Sequence, residues 1–184
     1  MANFQVWLVH FLANAAPPIA EFMRTKWGWL MAESIHFLGL SLLVGCIGLF
    51  DLRLLGMAKR IPIAALHKLI PWGLFGFAIN ITTGSLFLLT EPDQYIYNPS
   101  FQFKVLFITL AGTNALLFYL TTYRRATAAN ASADAPRSAK LIAAVSLSLW
   151  IGVIVCGRLL TFFRPGPCPS SGPGLIADCT PRKR

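Results

Sequence analysis

Four long apolar runs constrain the fold of this chain more than any other feature. They cover residues 27–50, 69–90, 101–123 and 141–163. About twenty apolar helical residues cross the hydrocarbon core of a bilayer, which is roughly 30 Å thick, and each run reaches that length. Because lipid offers the backbone no hydrogen bonds, segments that span it are helical. The sequence therefore predicts an all-α, integral membrane four-helix bundle.

The composition suits a lipid environment and limits the classes of partner. Hydrophobic residues make up 55% of the chain and charged residues only 12%. The net charge of +9 comes from sixteen Lys and Arg residues that lie mainly between the apolar runs or in the tail. Anionic lipid headgroups explain that placement better than nucleic acid does. We expect the lipid bilayer and other membrane protein subunits as partners, and no nucleic acid.

Segments of different character flank the bundle, which we place at residues 27–163. Residues 1–26 begin with an apolar stretch that is too short to span and is followed by Pro17 and Pro18. This segment predicts an N-terminal interfacial or re-entrant helix that ends at the two prolines. Residues 164–184 are rich in Pro and Gly and predict an extramembrane tail.

The basic residues of the connectors predict the orientation. The first and third connectors carry most of them, whereas the second has Lys104 against Glu91 and Asp93. By the positive-inside rule, the first and third loops are cytoplasmic and both termini are periplasmic in a bacterial inner membrane. Arg24, Lys26 and the basic C-terminal residues favour the opposite orientation.

The tail also contains Cys168 and Cys179, for which two interpretations remain open. A disulfide between them would close a short loop and fit an oxidising, periplasmic side. Alternatively, both are free thiols. Cys46 and Cys156 lie within apolar runs, where a cysteine usually serves as a small packing residue.

A few polar residues lie within the predicted spans at one depth. With a rise of about 1.5 Å per residue, Glu33 and Arg158 share a layer in the outer half, and His36 lies one turn deeper than Glu33. Asn80, Thr83 and Lys104 come close to this layer.

Two interpretations of this layer remain open. In the functional one, His36 is a ligand or proton carrier, Glu33 orients it, and Arg158 holds an anionic group such as a haem propionate or a quinone oxygen. In the structural one, Glu33 and Arg158 form an ion pair that fixes helix register. Lys104 on its own is more typical of a side chain that extends to the interface.

A b-type haem would require axial ligands, and His36 is the candidate for its iron. His67 lies at the opposite end of the second span, about twenty ångströms from His36 along the membrane normal, so one haem cannot join them. His10 is the remaining candidate for a second ligand. The alternative is a five-coordinate haem with His36 as its single axial ligand from the protein.

The segments WGWLMAESIHFLGLSLLVGCIGLFDLRLLG, LIPWGLFGFAINITTGSLFLL and NPSFQFKVLFI carry a resemblance over roughly residues 25–120. They resemble an uncharacterised family of small bacterial four-helix inner-membrane proteins, distantly similar to the copper-resistance D membrane domain and to haem-carrying four-helix bundles. The resemblance implies that Glu33 and His36 belong to a motif, but it implies no activity. It leaves copper handling open. In the DLRLLG turn, Asp51 and Arg53 are interpreted as structural residues.

Known catalytic motifs are absent from the sequence, which has no Walker loop, dinucleotide glycines or CxxC pair. We therefore expect a small membrane subunit or cytochrome-like component of a bacterial redox or electron-transfer system, without catalytic activity of its own. A haem or quinone would bind near His36. The alternatives are a cofactor-free accessory subunit of a larger membrane complex and a copper-handling membrane protein.

Overall fold

The computed structural model describes residues 2–127, 135–163, 166–167 and 179–180. The helices are α1 (Ala2–Ala15), α2 (Pro17–Arg24), α3 (Lys26–Leu54), α4 (Ile63–His67), α5 (Ile70–Thr90), α6 (Pro92–Ile96), α7 (Pro99–Leu117), α8 (Tyr123–Thr127) and α9 (Arg137–Leu159). A π-helical turn, Phe118–Thr122, joins α7 to α8. Gly166–Pro167 (β1) and Cys179–Thr180 (β2) form a two-residue parallel pair in the tail.

Four helical segments of the described chain are long and apolar enough to cross a membrane. They are Lys26–Leu54, Ile63–Thr90, Pro99–Thr122 and Arg137–Leu159. The prediction of an all-helical chain with four such helices is therefore confirmed. The main difference lies at the boundaries: α3 extends four residues past the predicted run, to Leu54, and α9 begins four residues before it, at Arg137.

Helices α3 and α5 form the closest pair in the bundle, because glycines let their backbones touch. A Cβ atom placed on Gly76 would lie 2.6 Å from the Gly39 carbonyl oxygen and 2.8 Å from the Leu43 nitrogen. Interfaces between membrane helices commonly use small residues for such close approach. The crossing point therefore fixes where the side chains of α3 and α5 meet.

Helices α7 and α9 form the second pair. The Phe107 ring packs against Gly152 so closely that a Cβ atom placed on the glycine would lie 2.9 Å from the ring. The Asn114 amide donates to the Ile142 carbonyl at 3.0 Å. Contacts between α3 and α9, including a hydrogen bond between Asp51 and Ser146, join the two pairs.

Helices α1, α2 and α6 lie at the end of the bundle where α3 begins, which we call the Trp29 end. The N-terminal segment is helical, and Pro17 and Pro18 occupy the first turn of α2, so the first helix stops before them as predicted. The Thr25 hydroxyl accepts from the Gly28 nitrogen at 3.1 Å and caps α3. Gly28 is required there, because a Cβ would lie 2.1 Å from the Phe22 carbonyl oxygen.

One asparagine and one tyrosine lie side by side at the Trp29 end. The Asn98 amide donates to the Phe163 carbonyl at 2.7 Å, and its oxygen accepts from the Ser100 nitrogen at 2.9 Å. Asn98 thus caps α7 and ties it to the residues that follow α9. The neighbouring Tyr97 is buried, and burial, with the charge of Asp93 nearby, raises the pKa of its hydroxyl.

The opposite end contains the DLRLLG turn, α4 and the π-helical turn, and we call it the His67 end. Gly56, with φ of 104°, ends α3 in a Schellman motif in which the Met57 nitrogen donates to the Leu52 carbonyl at 3.0 Å. The buried Arg53 side chain donates to the carbonyls of Ile61 (2.6 Å) and Lys59 (3.3 Å). Arg53 therefore holds the loop that follows α3.

The predicted disulfide falls largely outside the described residues. Cys168 is not among them, and only the backbone of Cys179 is described. The pairing of these two cysteines stays a prediction. Cys46 and Cys156 are free thiols, the first half-buried and the second buried.

Candidate functional site

The His36 ring lies between α3 and α5 in the Trp29 half of the bundle. Its Nδ1 lies 2.7 Å from the Thr83 hydroxyl, and that hydroxyl also lies 2.7 Å from the Ile79 carbonyl oxygen. The ring is half-buried and meets the edge of Phe87, with ring centroids 5.7 Å apart. Thr83 and Phe87 therefore fix the position and tilt of the imidazole.

The Thr83 contact leaves the second ring nitrogen of His36 available. Among the described residues, none is hydrogen-bonded to Nε2. If the Thr83 hydroxyl donates to Ile79, then His36 Nδ1–H donates to Thr83 and Nε2 is an acceptor. If the hydroxyl donates to Nδ1 instead, Nε2 carries the proton and is a donor. His36 can therefore offer either a lone pair or a proton at the same atom.

Lys104 reaches the same region from α7. A Cβ on Gly157 of α9 would lie 3.7 Å from its Nζ, and the positive charge of Lys104 acts on the His36 imidazole. The described part of the chain places no carboxylate or carbonyl within hydrogen-bond distance of Nζ. The ammonium thus lies within the bundle with its hydrogen-bond donors unused.

Two glycines lie beside these side chains. Gly84 faces the His36 ring, where a Cβ would lie 3.9 Å from Cε1, and Gly157 faces Lys104. A larger residue at either position would fill the space next to a potential ligand-binding atom. His36, Thr83, Lys104 and the two glycines together form what we call the polar centre, and it draws on all four spans.

Glu33 and Arg158 are not part of this centre. Both are exposed, and they form no ion pair within the described chain. The Arg158 guanidinium lies over the Phe162 ring, 5.8 Å from its centroid. The residue that orients His36 is Thr83, rather than Glu33 as we expected. The reason is that a shared depth in the membrane does not give two side chains the same direction around their helices.

The other two histidines lie apart from His36. His10 is exposed on α1, whose neighbours are α5 and α6, and no ring contact links it to His36 in the described residues. His67 lies at the opposite end, where its Nε2 is 3.1 Å from the Tyr119 hydroxyl and its ring packs on Tyr123. The expected distance between His36 and His67 stays a prediction.

Metal-ligand clusters are also absent from the part of the chain that the structure describes. No group of three or more His, Cys, Asp or Glu side chains converges there.

Sequence reasoning missed one member of the site and misjudged another. It did not consider Gly157, and it placed Lys104 near this layer but interpreted it as an interfacial side chain. The position of Lys104 along the chain did indicate its depth. It lies five residues after Pro99, where α7 begins, so its side chain starts inside the span and not at the end of the helix.

Comparisons with protein families, curated proteins and solved structures found no match to this chain.

Proposed function

We propose that this chain is a small membrane subunit of a redox system and binds a quinone head group at the polar centre. The observation that carries the proposal is the convergence of His36 and Lys104 from α3 and α7, each beside a glycine that has no side chain to cover it. Ionisable side chains within a membrane span are costly, so their convergence favours a functional role.

The donors and acceptors of the polar centre match both forms of such a ligand. A quinone carbonyl accepts hydrogen bonds, which the Lys104 ammonium and a protonated His36 Nε2 can donate. A quinol hydroxyl donates, which an unprotonated Nε2 can accept. Because the Thr83 hydroxyl can donate to either Ile79 or His36, the imidazole can change tautomer without losing its support.

A haem on His36 fits the donor set less well. The imidazole could supply one axial ligand through Nε2, while His10 and His67 lie elsewhere. A five-coordinate haem therefore remains the form that these residues could hold, and the iron would supply the redox chemistry. No observation favours the copper-handling alternative.

A second candidate function rests on a separate observation. Glu33 and Arg158 are exposed on spans that would otherwise face lipid. A cofactor-free accessory subunit would cover these charges by packing against another membrane protein. This role is compatible with a ligand at the polar centre, since the two sets of residues differ.

We also propose the location and the orientation given by the sequence. The chain would lie in a bacterial inner membrane with both termini periplasmic, because the loops at the His67 end carry the basic residues. In that arrangement α1 would lie at the periplasmic interface. Labelling of single cysteines introduced at Lys59 and Asp93, from each side of the membrane, would test the orientation.

Quinone titration of the purified chain tests the proposed function. A short-chain benzoquinone would be added to the protein in detergent, and binding would be followed by quenching of tryptophan fluorescence. We expect His36→Ala to weaken binding by about tenfold or more, because one hydrogen bond from a partly buried charged or polar group is lost.

The matched control is His67→Ala, which removes the same side chain at the opposite end of the bundle. It should bind the quinone with wild-type affinity. Equal affinities in wild type and His36→Ala would overturn the proposal. A Soret band that is present in the wild-type preparation and lost in His36→Ala would show that the ligand at His36 is haem rather than quinone.

A further inference from the structure

A cavity of about 390 Å³ opens at the Trp29 end, outside the polar centre. It lies between the end of α2, the start of α3, the end of α5, helix α6 and the residues at the end of α9. Its lining includes Met23 and Trp29, and Trp29 packs on Phe87 with ring centroids 4.9 Å apart. Phe87 also contacts His36, so two aromatic rings link the cavity wall to the imidazole.

The charges at its rim are predominantly positive. Arg24 donates to the Thr90 carbonyl at 3.3 Å and lies 3.7 Å from the Glu91 carboxylate, so it is held in place. Lys26 also lines the cavity, and the described residues offer it no carboxylate partner. The rim thus carries two cations against one anion.

Few other groups on the wall can donate a hydrogen bond. The hydroxyls of Thr25, Thr90 and Thr161 all donate to carbonyls of their own segments. The Gln94 amide lines the cavity and has no side-chain hydrogen bond within the described chain. Lys26, Arg24, Gln94 and the Trp29 indole N–H are therefore the groups that can donate to a ligand, and a set of donors with two cations suits an anion.

Apolar surface continues from the cavity along the outside of the bundle. The side chains of Trp27 and Phe22 are 70% and 58% exposed beside it. Trp29 and Tyr95 on the wall are typical of the aromatic residues found at membrane boundaries. A ligand with an anionic head and apolar chains would satisfy both the rim and this surface.

We infer that the cavity between α2, α3, α5 and α6 binds the phosphate of an anionic amphiphile through Lys26, Arg24 and Gln94. In a membrane, the corresponding molecule is an acidic phospholipid. The same chemistry would also recognise free phosphate. The inference is independent of the quinone proposal, because none of these residues belongs to the polar centre.

Calorimetric titration of the full chain in non-ionic detergent tests the inference with three probes: dihexanoyl phosphatidylglycerol, dihexanoyl phosphatidylcholine and inorganic phosphate. We expect wild type to bind phosphatidylglycerol about fivefold or more tightly than phosphatidylcholine, the effect of one basic residue near an anionic headgroup. Lys26→Gln should lose that preference, and Lys26→Arg should keep it.

Lys68→Gln is the matched control, since it removes an exposed lysine at the His67 end. It should leave the preference unchanged. Equal binding of the two lipids by wild type, or the same loss in Lys68→Gln as in Lys26→Gln, would overturn the inference. Displacement of phosphatidylglycerol by inorganic phosphate would support recognition of the lipid through its phosphate. Phosphate binding without any preference for phosphatidylglycerol would contradict a lipid site and assign the cavity to free phosphate.

Discussion

Gly76→Leu is expected to abolish the native packing of α3 against α5. The new side chain would begin 2.6 Å from the Gly39 carbonyl oxygen and 2.8 Å from the Leu43 nitrogen, which are backbone atoms and cannot move without separating the helices. Overpacking of a well-packed interface costs about 1–3 kcal/mol and more where backbone must shift. We therefore expect a large drop in the thermal unfolding midpoint in detergent, measured by circular dichroism.

A matched control for this substitution is Gly112→Leu on α7. A Cβ on Gly112 meets no atom within 4 Å, so the leucine would extend into open space. Gly112→Leu should unfold near the wild-type temperature. The unfolding midpoint of Gly76→Ala should lie between those of the two leucine variants. Similar midpoints for Gly76→Leu and Gly112→Leu would show that the two helices do not cross at Gly39 and Gly76.

Lys104→Met is expected to weaken quinone binding by about tenfold, because hydrogen bonds from charged groups contribute about 1.5–3 kcal/mol. Methionine keeps the apolar length of the side chain and removes the ammonium that lies beside Gly157. The fluorescence titration described for His36 measures the effect. Lys104→Arg should retain most of the affinity, since it keeps a cationic donor.

The comparison with His36→Ala makes this test selective. If Lys104→Met bound quinone like wild type while His36→Ala did not, Lys104 would have a purely interfacial role. Weaker quinone binding in both variants would indicate that the ligand contacts α3 and α7 together, as the polar centre requires.

The fold could be predicted from the sequence because hydrophobicity alone sets the number and the approximate length of the spans. Pro17 and Pro18 likewise mark the end of α1, since proline cannot continue a helix. The boundaries were harder to predict. Helix α3 continues past Phe50 because Asp51 and Arg53 find partners in Ser146 and the following loop, and these contacts depend on tertiary structure.

The candidate site could be predicted only in part. Depth along a helix follows from counting residues, and it placed His36, Thr83 and Lys104 in neighbouring layers. The direction of a side chain around its helix depends on which face meets a neighbour, and that depends on Gly39 and Gly76. For this reason one interpretation of the sequence paired Glu33 with Arg158, whereas the structure exposes both and half-buries Lys104.

The cofactor content of the chain purified from its native membrane tests the central proposal most directly. Quinone would be extracted and quantified against protein, and the absorption spectrum recorded before and after reduction. We predict quinone stoichiometric with the wild-type chain and strongly depleted in His36→Ala, with no change in His67→Ala. A preparation that contains neither quinone nor haem, or one whose quinone content is unchanged in His36→Ala, would contradict a ligand site at the polar centre.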